Sequence, residues 1–279
     1  MSDFLRSMAS SSAERAASIG HAFTAKDFDL PIAPFKAGTF EIIAEIKERS
    51  PSAGVLSPPI AARTVPAERA RQYREGGAAA ISVLTEPARF GGDMSHLREV
   101  AAAVPGTPVM RKDFLVDARQ VLEARAAGAS GVLLITAILD DAELADMLDC
   151  AFEHSLFVLL ESFDRGDLAR TVRLLDVARY ADKAANNELL LGVNSRNLRT
   201  LEVEPARLAG FAPMFPADAV AVAESGLAEP RDAAEVSSLG YRVALVGTAL
   251  MRAENPAALV SELLAAGRAA ANTRQRVTS

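Results

Sequence analysis

The sequence predicts a (β/α)8 barrel, and three observations support this fold class. Eight short apolar runs recur along the 279 residues, segments with helical periodicity lie between them, and the pattern continues almost to the end of the chain. Alternating strands and helices indicate parallel pairing, and eight such units fit a closed barrel, which typically takes about 250 residues. A doubly wound open sheet is the alternative, but dinucleotide binders of that kind carry a glycine-rich turn after the first strand. Here that position is occupied by residues 47–51, KERSP.

The apolar runs are rich in Val, Ile and Leu and show little alternation, which is typical of strands covered on both faces. Between them, apolar residues at helical spacing predict helices over residues 118–127, 141–152, 165–180 and 256–266, with Asp117 as an N-cap. The predicted strands are residues 40–46, 79–84, 107–110, 131–135, 156–160, 189–193, 219–223 and 243–246.

No linker divides the chain, so we predict a single domain over residues 1–279. Residues 1–39 precede the first strand, and we expect them to form a helix and an extension packed against one end of the barrel. Residues 40–271 are the predicted barrel, and residues 272–279 are a predicted polar tail.

Composition and charge exclude several classes of protein. Half of the residues are hydrophobic and 24% are charged, as in a globular protein with a sizeable core. The net charge of −6 argues against nucleic-acid binding through a general positive field, and no apolar run reaches the length of about 18 residues that predicts a membrane span. The single cysteine cannot form an internal disulfide, and the first 20 residues do not resemble a signal peptide. We expect a cytoplasmic monomer or weak homo-oligomer, with no nucleic-acid or membrane partner.

Polar residues end most of the predicted strands. Active sites of (β/α)8 barrels lie at the carboxyl ends of the strands, where the following loops converge. Side chains two residues apart share a face of a strand, so Glu45 and Lys47 point the same way, as do Lys112 and Phe114. Together the strand ends predict a charged active-site mouth; the alternative is that each charge caps its own strand in solvent. The strand-end segments are residues 45–47, 111–114, 161–162, 194–197, 224–226 and 247–248.

Small residues at the last two strand ends predict a phosphate site. Ser225-Gly226 and Gly247-Thr248 allow backbone N–H groups to approach an oxyanion closely, in the part of the barrel where phosphate is frequently bound. The alternative is that each glycine only permits a tight turn. The three histidines show no metal-ligand spacing, so no metal site is predicted.

Seven ordered groups of motifs resemble those of the indole-3-glycerol phosphate synthase family, and they cover residues 40–264. The chain departs from the family pattern at Ala53, where many members carry lysine, and at Asp93, where serine is frequent. The segment 183–188 also lengthens the approach to the sixth strand. The motifs are residues 43–47 (IAEIK) with 50–54 (SPSAG), 82–86 (SVLTE) with 90–92 (FGG), 108–114 (PVMRKDF), 123–129 (EARAAGA), 191–198 (LGVNSRNL), 223–226 (AESG) and 245–252 (LVGTALMR).

The resemblance implies a reaction and its substrate class. The family closes the ring of an anthranilate that bears an open deoxyribulose phosphate chain; water and carbon dioxide leave, and indole-3-glycerol phosphate forms. The expected partner is therefore a small phosphorylated substrate, and no cofactor is expected.

The same resemblance implies roles for individual residues. Lys112 is the expected general acid, and Lys47 contacts the substrate carboxylate or phosphate and is a candidate to share the acid role. Glu161 is the expected base or second proton carrier. Glu45 and Asn194 are expected to orient one another and to serve the second catalytic step. Further implied contacts are Ser50, Arg196, Glu224 and Ser225 with the substrate, Gly226, Gly247 and Thr248 with phosphate, and Phe90, Phe114 and Leu134 with the aromatic ring. For the last three residues, plain core packing is the alternative.

Two other functions remain open at this stage. A sister barrel enzyme of the phosphoribosylanthranilate isomerase kind needs a Cys/Asp acid–base pair, but Cys150 is not at a predicted strand end. A barrel that binds its ligand without turnover is the other alternative, against which the set of Lys47, Lys112 and Glu161 argues.

Overall fold

A computed structural model of the chain describes residues 2–50, 54–55, 65–196 and 202–278. Eight parallel strands close into a barrel in which each strand pairs with its neighbours in the sequence and the first pairs with the last. The predicted fold class is confirmed. The barrel strands are β1 (Glu41–Ile46), β2 (Ala80–Leu84), β3 (Val109–Lys112), β4 (Gly131–Ile135), β5 (Phe157–Ser162), β6 (Leu189–Asn194), β7 (Val220–Glu224) and β8 (Val243–Val246).

The side chains of each barrel strand alternate between two hydrophobic layers. On β1, Ile43 packs inside the barrel, whereas Ile42 and Ala44 pack in the layer that the surrounding helices cover. All three are fully buried, and burial of a side chain as large as Ile contributes about 1.5–3 kcal/mol. Two buried faces explain why the strands show little alternation in the sequence.

Several strands extend beyond the predicted apolar runs into the polar residues that follow. β3 includes Lys112, β5 includes Glu161, and β7 includes Glu224. The parallel ladder continues at this level, since Asn194 on β6 is in register with Glu224. The apolar pattern stops earlier than the strand because the backbone hydrogen bonds of a ladder do not depend on side-chain polarity.

Helices cover the outside of the barrel, and several begin at an aspartate that caps the first turn. Asp117 caps α5 as predicted, since its Oδ1 accepts from Arg119 N at 2.8 Å. The single helix predicted over residues 165–180 is instead two helices, separated by a 3-10 turn at Leu174–Asp176 and by the extended backbone of Val177. The helices are α1 (Asp3–Ala17), α2 (Pro66–Glu75), α3 (Pro87–Phe90), α4 (Met94–Ala103), α5 (Ala118–Ala126), α6 (Asp141–Glu153), α7 (Arg165–Arg173), α8 (Ala178–Ala185), α9 (Ala206–Phe211), α10 (Pro230–Leu239), α11 (Thr248–Arg252) and α12 (Pro256–Thr278).

The last helix is longer than predicted. It takes in residues 272–278, which we expected to form a polar tail. Thr273 Oγ1 donates back to Ala269 O at 3.1 Å, one helical turn earlier. Polar composition therefore marks an exposed part of the helix here and not its end.

The amino-terminal extension contacts both ends of the barrel, where we expected one. Helix α1 lies at the carboxyl end, and its Arg15 Nη2 pairs with Asp113 Oδ1, next to the end of β3, at 2.6 Å. Further along, Phe35 packs against Phe157 at the start of β5, with ring centroids 5.2 Å apart. The extension therefore places a helix beside the mouth and an aromatic side chain in the base.

We predict that Phe35→Ala lowers the free energy of unfolding by about 3–5 kcal/mol, because it leaves a cavity at the base of the barrel. Phe35 is 4% exposed, whereas Leu30 of the same extension is 48% exposed. The matched control Leu30→Ala should cost less than about 1 kcal/mol. Urea unfolding followed by circular dichroism measures both, and equal losses in the two variants would contradict the prediction.

Candidate active site

A cavity of about 480 Å³ opens at the carboxyl end of the barrel strands. Apart from Leu134, every predicted site residue whose side chain the structure describes lines this cavity. The side chain of Ser50 lies outside the described part of the chain, although its backbone pairs with Gly54 after β1. The predicted residues around the cavity are Glu45, Lys47, Phe90, Lys112, Phe114, Glu161, Asn194, Arg196, Glu224, Ser225, Gly226, Gly247 and Thr248.

Two lysines and three glutamates form a charged cluster in the cavity. Lys112 Nζ lies 3.4 Å from Glu161 Oε2 and 3.5 Å from Glu224 Oε2, so one ammonium group links the ends of three strands. Lys47 Nζ lies 2.5 Å from Glu45 Oε1, as expected for side chains two residues apart at the end of β1. The three glutamates are at most 2% exposed. Charges buried to this extent need close partners of opposite sign. The cluster supplies them to Glu45 and Glu161, while Glu224 has only its share of Lys112.

Asn194 orients Glu161, and not Glu45 as we expected. Asn194 Nδ2 donates to Glu161 Oε1 at 2.6 Å, and its Oδ1 accepts from Arg196 N at 2.9 Å. The reason is the strand order: β5 and β6 are neighbours, whereas β7 and β8 separate β6 from β1. Glu45 is paired with Lys47 instead.

Burial and neighbouring charges shift three pKa values in the cavity. Burial alone would lower the pKa of Lys112, but Glu161, Glu224 and Glu45 together raise it above its ordinary value. Burial raises the pKa of Glu224 to about 8; Glu161 and Glu45 add to this shift and Lys112 opposes it. Burial lowers the pKa of Arg196, against the effect of Glu45 and Glu161. The cavity therefore holds a firmly cationic lysine beside a carboxyl group that titrates close to neutral pH.

Two glycines leave room for the acidic side chains. A Cβ at Gly192 on β6 would collide with Glu224 Oε1. A Cβ at Gly247 would collide with Glu45 Oε1 and lie 2.9 Å from Lys47 Nζ. Gly247, which we predicted as a phosphate contact, thus also provides space for an ion pair.

Aromatic rings form one wall of the cavity. The centroids of Phe90 and Phe114 are 6.1 Å apart, and Phe4 of α1 packs edge-on against Phe114 at 6.0 Å. Leu134, which we predicted in this wall, packs instead in the outer layer, and Leu133 lines the cavity. Every residue of β4 is buried, so its sequence does not reveal which alternate positions face inward.

The cavity lining also includes residues that the sequence did not single out as site residues, among them Phe4, Phe163 and Arg252. Phe4 lies in the extension, far along the chain from the barrel, and no sequence signal connects it to the mouth. Phe163 directly follows the strand end at 161–162, and Arg252 ends the LVGTALMR motif. Position relative to a strand end could therefore have identified these two.

The predicted phosphate residues lie together at the ends of β7 and β8. Ser225 and Gly226 both have positive φ, 67° and 82°, which forms a sharp turn after Glu224. Ser195 Oγ donates to Ser225 O at 3.1 Å and holds this turn against the end of β6. Gly247 and Thr248 line the adjacent part of the cavity.

Cys150 lies on α6, away from the cavity. Its thiol is half-buried and lies 3.9 Å from Ala118 O, and burial raises its pKa to about 11. The described part of the cavity therefore contains no cysteine for the Cys/Asp chemistry of the isomerase-like alternative.

No described helix is both long and apolar enough to cross a membrane. Within residues 2–50, 54–55, 65–196 and 202–278, no group of three or more His, Cys, Asp and Glu is placed to hold a metal ion.

A closed barrel with a lysine–glutamate cluster at the carboxyl ends of its strands defines a class, the (β/α)8-barrel enzymes. Residues 6–263 match the family model described as indole-3-glycerol phosphate synthase. The chain belongs to the indole-3-glycerol phosphate synthase family, carboxy-lyases of tryptophan biosynthesis.

Individual relatives agree with the family model. A protein from Nocardioides sp. named indole-3-glycerol phosphate synthase is 46% identical over 233 residues, which cover 84% of this chain and 83% of that protein. A protein of the same name from Kineococcus radiotolerans is 44% identical over 227 residues, which cover 81% and 77%. The solved 3-hexulose-6-phosphate synthase from Salmonella typhimurium is 16% identical with a TM-score of 0.61, covering 82% of this chain and 98% of that one. At this identity the likeness shows the fold alone.

Proposed function

We propose that this protein converts 1-(2-carboxyphenylamino)-1-deoxyribulose 5-phosphate into indole-3-glycerol phosphate by lysine and glutamate acid–base catalysis. Membership of the family supports this choice of substrate. One observation carries the mechanism: the Lys112 ammonium group lies between Glu161 and Glu224, in a cavity with an aromatic wall.

The difference between substrate and product defines the proton transfers. A bond forms between the ring carbon that bears the carboxylate and the ketone carbon, and the carboxylate leaves as carbon dioxide. The ketone oxygen accepts two protons in all and leaves as water, and one proton leaves a carbon of the new five-membered ring. The site must therefore donate a proton to the ketone oxygen twice and accept a proton from a ring carbon once.

Lys112 is the proposed general acid. Its raised pKa keeps it protonated before the reaction, and the adjacent Glu161 oxygen at 3.4 Å is placed to return a proton to it. Glu161 is accordingly the proposed base and second proton carrier, and Asn194 holds its other oxygen at 2.6 Å. Positioned acid–base groups of this kind typically contribute about 10²–10⁴-fold each.

The remaining residues are proposed to bind the substrate. Lys47, oriented by Glu45, meets the substrate carboxylate or phosphate and is placed to share the acid role. The aromatic ring packs against Phe90 and Phe114, with Leu133 in the place that we had given to Leu134. The other proposed contacts are Ser50, Arg196, Glu224 and Ser225 with the sugar chain and carboxylate, and Gly226, Gly247 and Thr248 with the phosphate.

Formation of the indole product tests the proposal directly. The chain contains no tryptophan, so product fluorescence rises from a low background when purified protein receives the substrate. Fluorescence that rises in proportion to enzyme concentration is expected. Folded protein that binds the substrate without forming product would support the binding-only alternative instead.

We predict that Lys112→Met lowers kcat by at least about 10³-fold, because it removes the acid. Lys183→Met is the matched control, since Lys183 pairs with Glu188 on the outside of the barrel, away from the cavity. Circular dichroism and the thermal midpoint establish that both variants are folded. If folded Lys112→Met turned over like the control, Lys112 would not be the acid.

We predict opposite effects for two neighbouring leucines of β4. Leu133→Ala should raise KM about tenfold, because it removes apolar contact with the substrate ring. Leu134→Ala should leave KM unchanged and lower the free energy of unfolding by about 2–5 kcal/mol, because its side chain is buried under the helices. Steady-state kinetics and urea unfolding of both variants measure the two effects, and a larger KM change at Leu134 would reverse the assignment.

A further inference from the structure

Glu224 is the least compensated carboxyl group of the charged cluster. It is 1% exposed, and both of its carboxyl oxygens lack a hydrogen bond among the described residues. Of the other two glutamates, Glu45 lacks one only at Oε1, and both oxygens of Glu161 have a partner. Lys112 Nζ approaches it at 3.5 Å, but that ammonium group is shared with Glu161. A buried carboxylate in this position is costly, and uptake of a proton removes most of the cost.

The other two buried glutamates have stronger partners. Glu45 Oε1 lies 2.5 Å from Lys47 Nζ. Glu161 accepts a hydrogen bond from Asn194 at 2.6 Å in addition to its contact with Lys112 at 3.4 Å. Two lysines and Arg196 face the three glutamates, and Arg196 interacts with Glu45 and Glu161. Glu224 has only its share of Lys112, and there a proton can take the place of a further cation.

The strands on either side of Glu224 bring no charge to it. Its partners in register are Asn194 on β6 and Leu245 on β8, both uncharged. Gly192 on β6 lies beside its Oε1, and because this residue has no side chain it brings no charge to Glu224 either.

The charges that face Glu224 from the other strands are of both signs. Glu161 and Glu45 disfavour a negative charge on Glu224, whereas Lys112 favours that charge. Lys47 is paired with Glu45, and the effect of Arg196 is directed at Glu45 and Glu161. Burial is the main cause that disfavours the ionised form of Glu224, and the charges of Glu161 and Glu45 act in the same direction. Together they outweigh the effect of Lys112, so the pKa of Glu224 is raised to about 8.

We propose that Glu224 works as a neutral carboxylic acid, which donates a hydrogen bond to an oxygen of the bound substrate while Lys112 stays paired with Glu161. The identity of the acceptor rests on the proposed function, but the proton itself is already present in the free protein. The substrate brings a carboxylate and a phosphate, and this added negative charge holds the proton more firmly on Glu224. Glu224 directly precedes the turn at Ser225 and Gly226, where the predicted phosphate site begins. We therefore assign the acceptor to the part of the substrate next to the phosphate, an oxygen of the sugar chain.

Stability as a function of pH tests the protonation without any turnover. The unfolded chain ionises this glutamate above its ordinary pKa of about 4.5, while the folded chain keeps it neutral up to about 8. The wild-type protein therefore loses stability through this group as pH rises across that window. Glu224→Gln has no such loss, so its urea midpoint should rise relative to that of the wild type between pH 5 and pH 8 and stay level above pH 8.

Glu188→Gln is the matched control for the stability experiment. It removes a carboxylate that pairs with Lys183 at 2.6 Å outside the cavity and away from Glu224, and we expect no comparable relative gain. A urea-midpoint difference between Glu224→Gln and wild type that is independent of pH from 5 to 9 would overturn the proposal. If Glu224→Gln does not fold, infrared spectra of the wild type decide: a carbonyl band of a protonated carboxyl group at pH 6 that disappears by pH 9.5 supports it, and the absence of that band at pH 6 overturns it.

Activity tests the hydrogen bond to the substrate separately. Removing one aligned donor typically costs about 10²–10³-fold in kcat, which we expect for Glu224→Ala. Glu224→Gln keeps a neutral donor, so it should lose less than Glu224→Ala. It should also lack the fall in kcat/KM that we expect of the wild type above about pH 8. Equal losses in Gln and Ala, with the alkaline fall retained, would overturn the donor role. Absence of turnover in the wild type would overturn the proposed function, while the stability experiment would still decide the protonation.

Discussion

The ion pairing of one largely buried ammonium group with carboxyl groups of two other strands is the interaction on which the mouth of the barrel depends. Lys112, Glu161 and Glu224 come from β3, β5 and β7, which meet only because the sheet closes. None of these groups is well accommodated alone in a buried place, since an isolated buried ion costs several kcal/mol. Closure of the barrel and neutralisation of the cluster therefore support each other, and the same charges that satisfy the fold become the acid and base of the proposed reaction.

The fold could be predicted almost completely from the sequence. Apolar runs, helical periodicity and N-caps such as Asp117 report local structure, and the order of the strands in a barrel follows the order in the chain. The predicted ends of several strands and helices were wrong. β3 continues to Lys112, and α12 continues to Thr278, because neither the ladder nor the helix ends where the side chains become polar. Polarity reports exposure or function, and only backbone geometry reports the end of an element.

The candidate site was predicted less completely, and the reasons are physical. Alternation placed Glu45 beside Lys47 because the two residues are two apart at the end of one strand. The contact of Asn194 with Glu161 follows from the neighbouring order of β5 and β6 in a closed barrel, and no pattern within a single strand shows it. Leu134 was assigned to the wrong face of β4. Every residue of this strand is buried, so no polar residue indicates which alternate positions point into the barrel. Phe4 reaches the cavity from the extension, a tertiary contact that no local pattern can show.

Gly192 and Gly247 limit which sequences can carry this arrangement of acids. Each glycine vacates the volume that a carboxyl group on a neighbouring strand fills, Glu224 in one case and Glu45 in the other. A larger residue at either glycine would displace the carboxyl group beside it from its present position, so each glycine and its acid depend on one another although they are distant in the chain. Transplanting the acids into another barrel would consequently require transplanting these gaps on the adjacent strands as well.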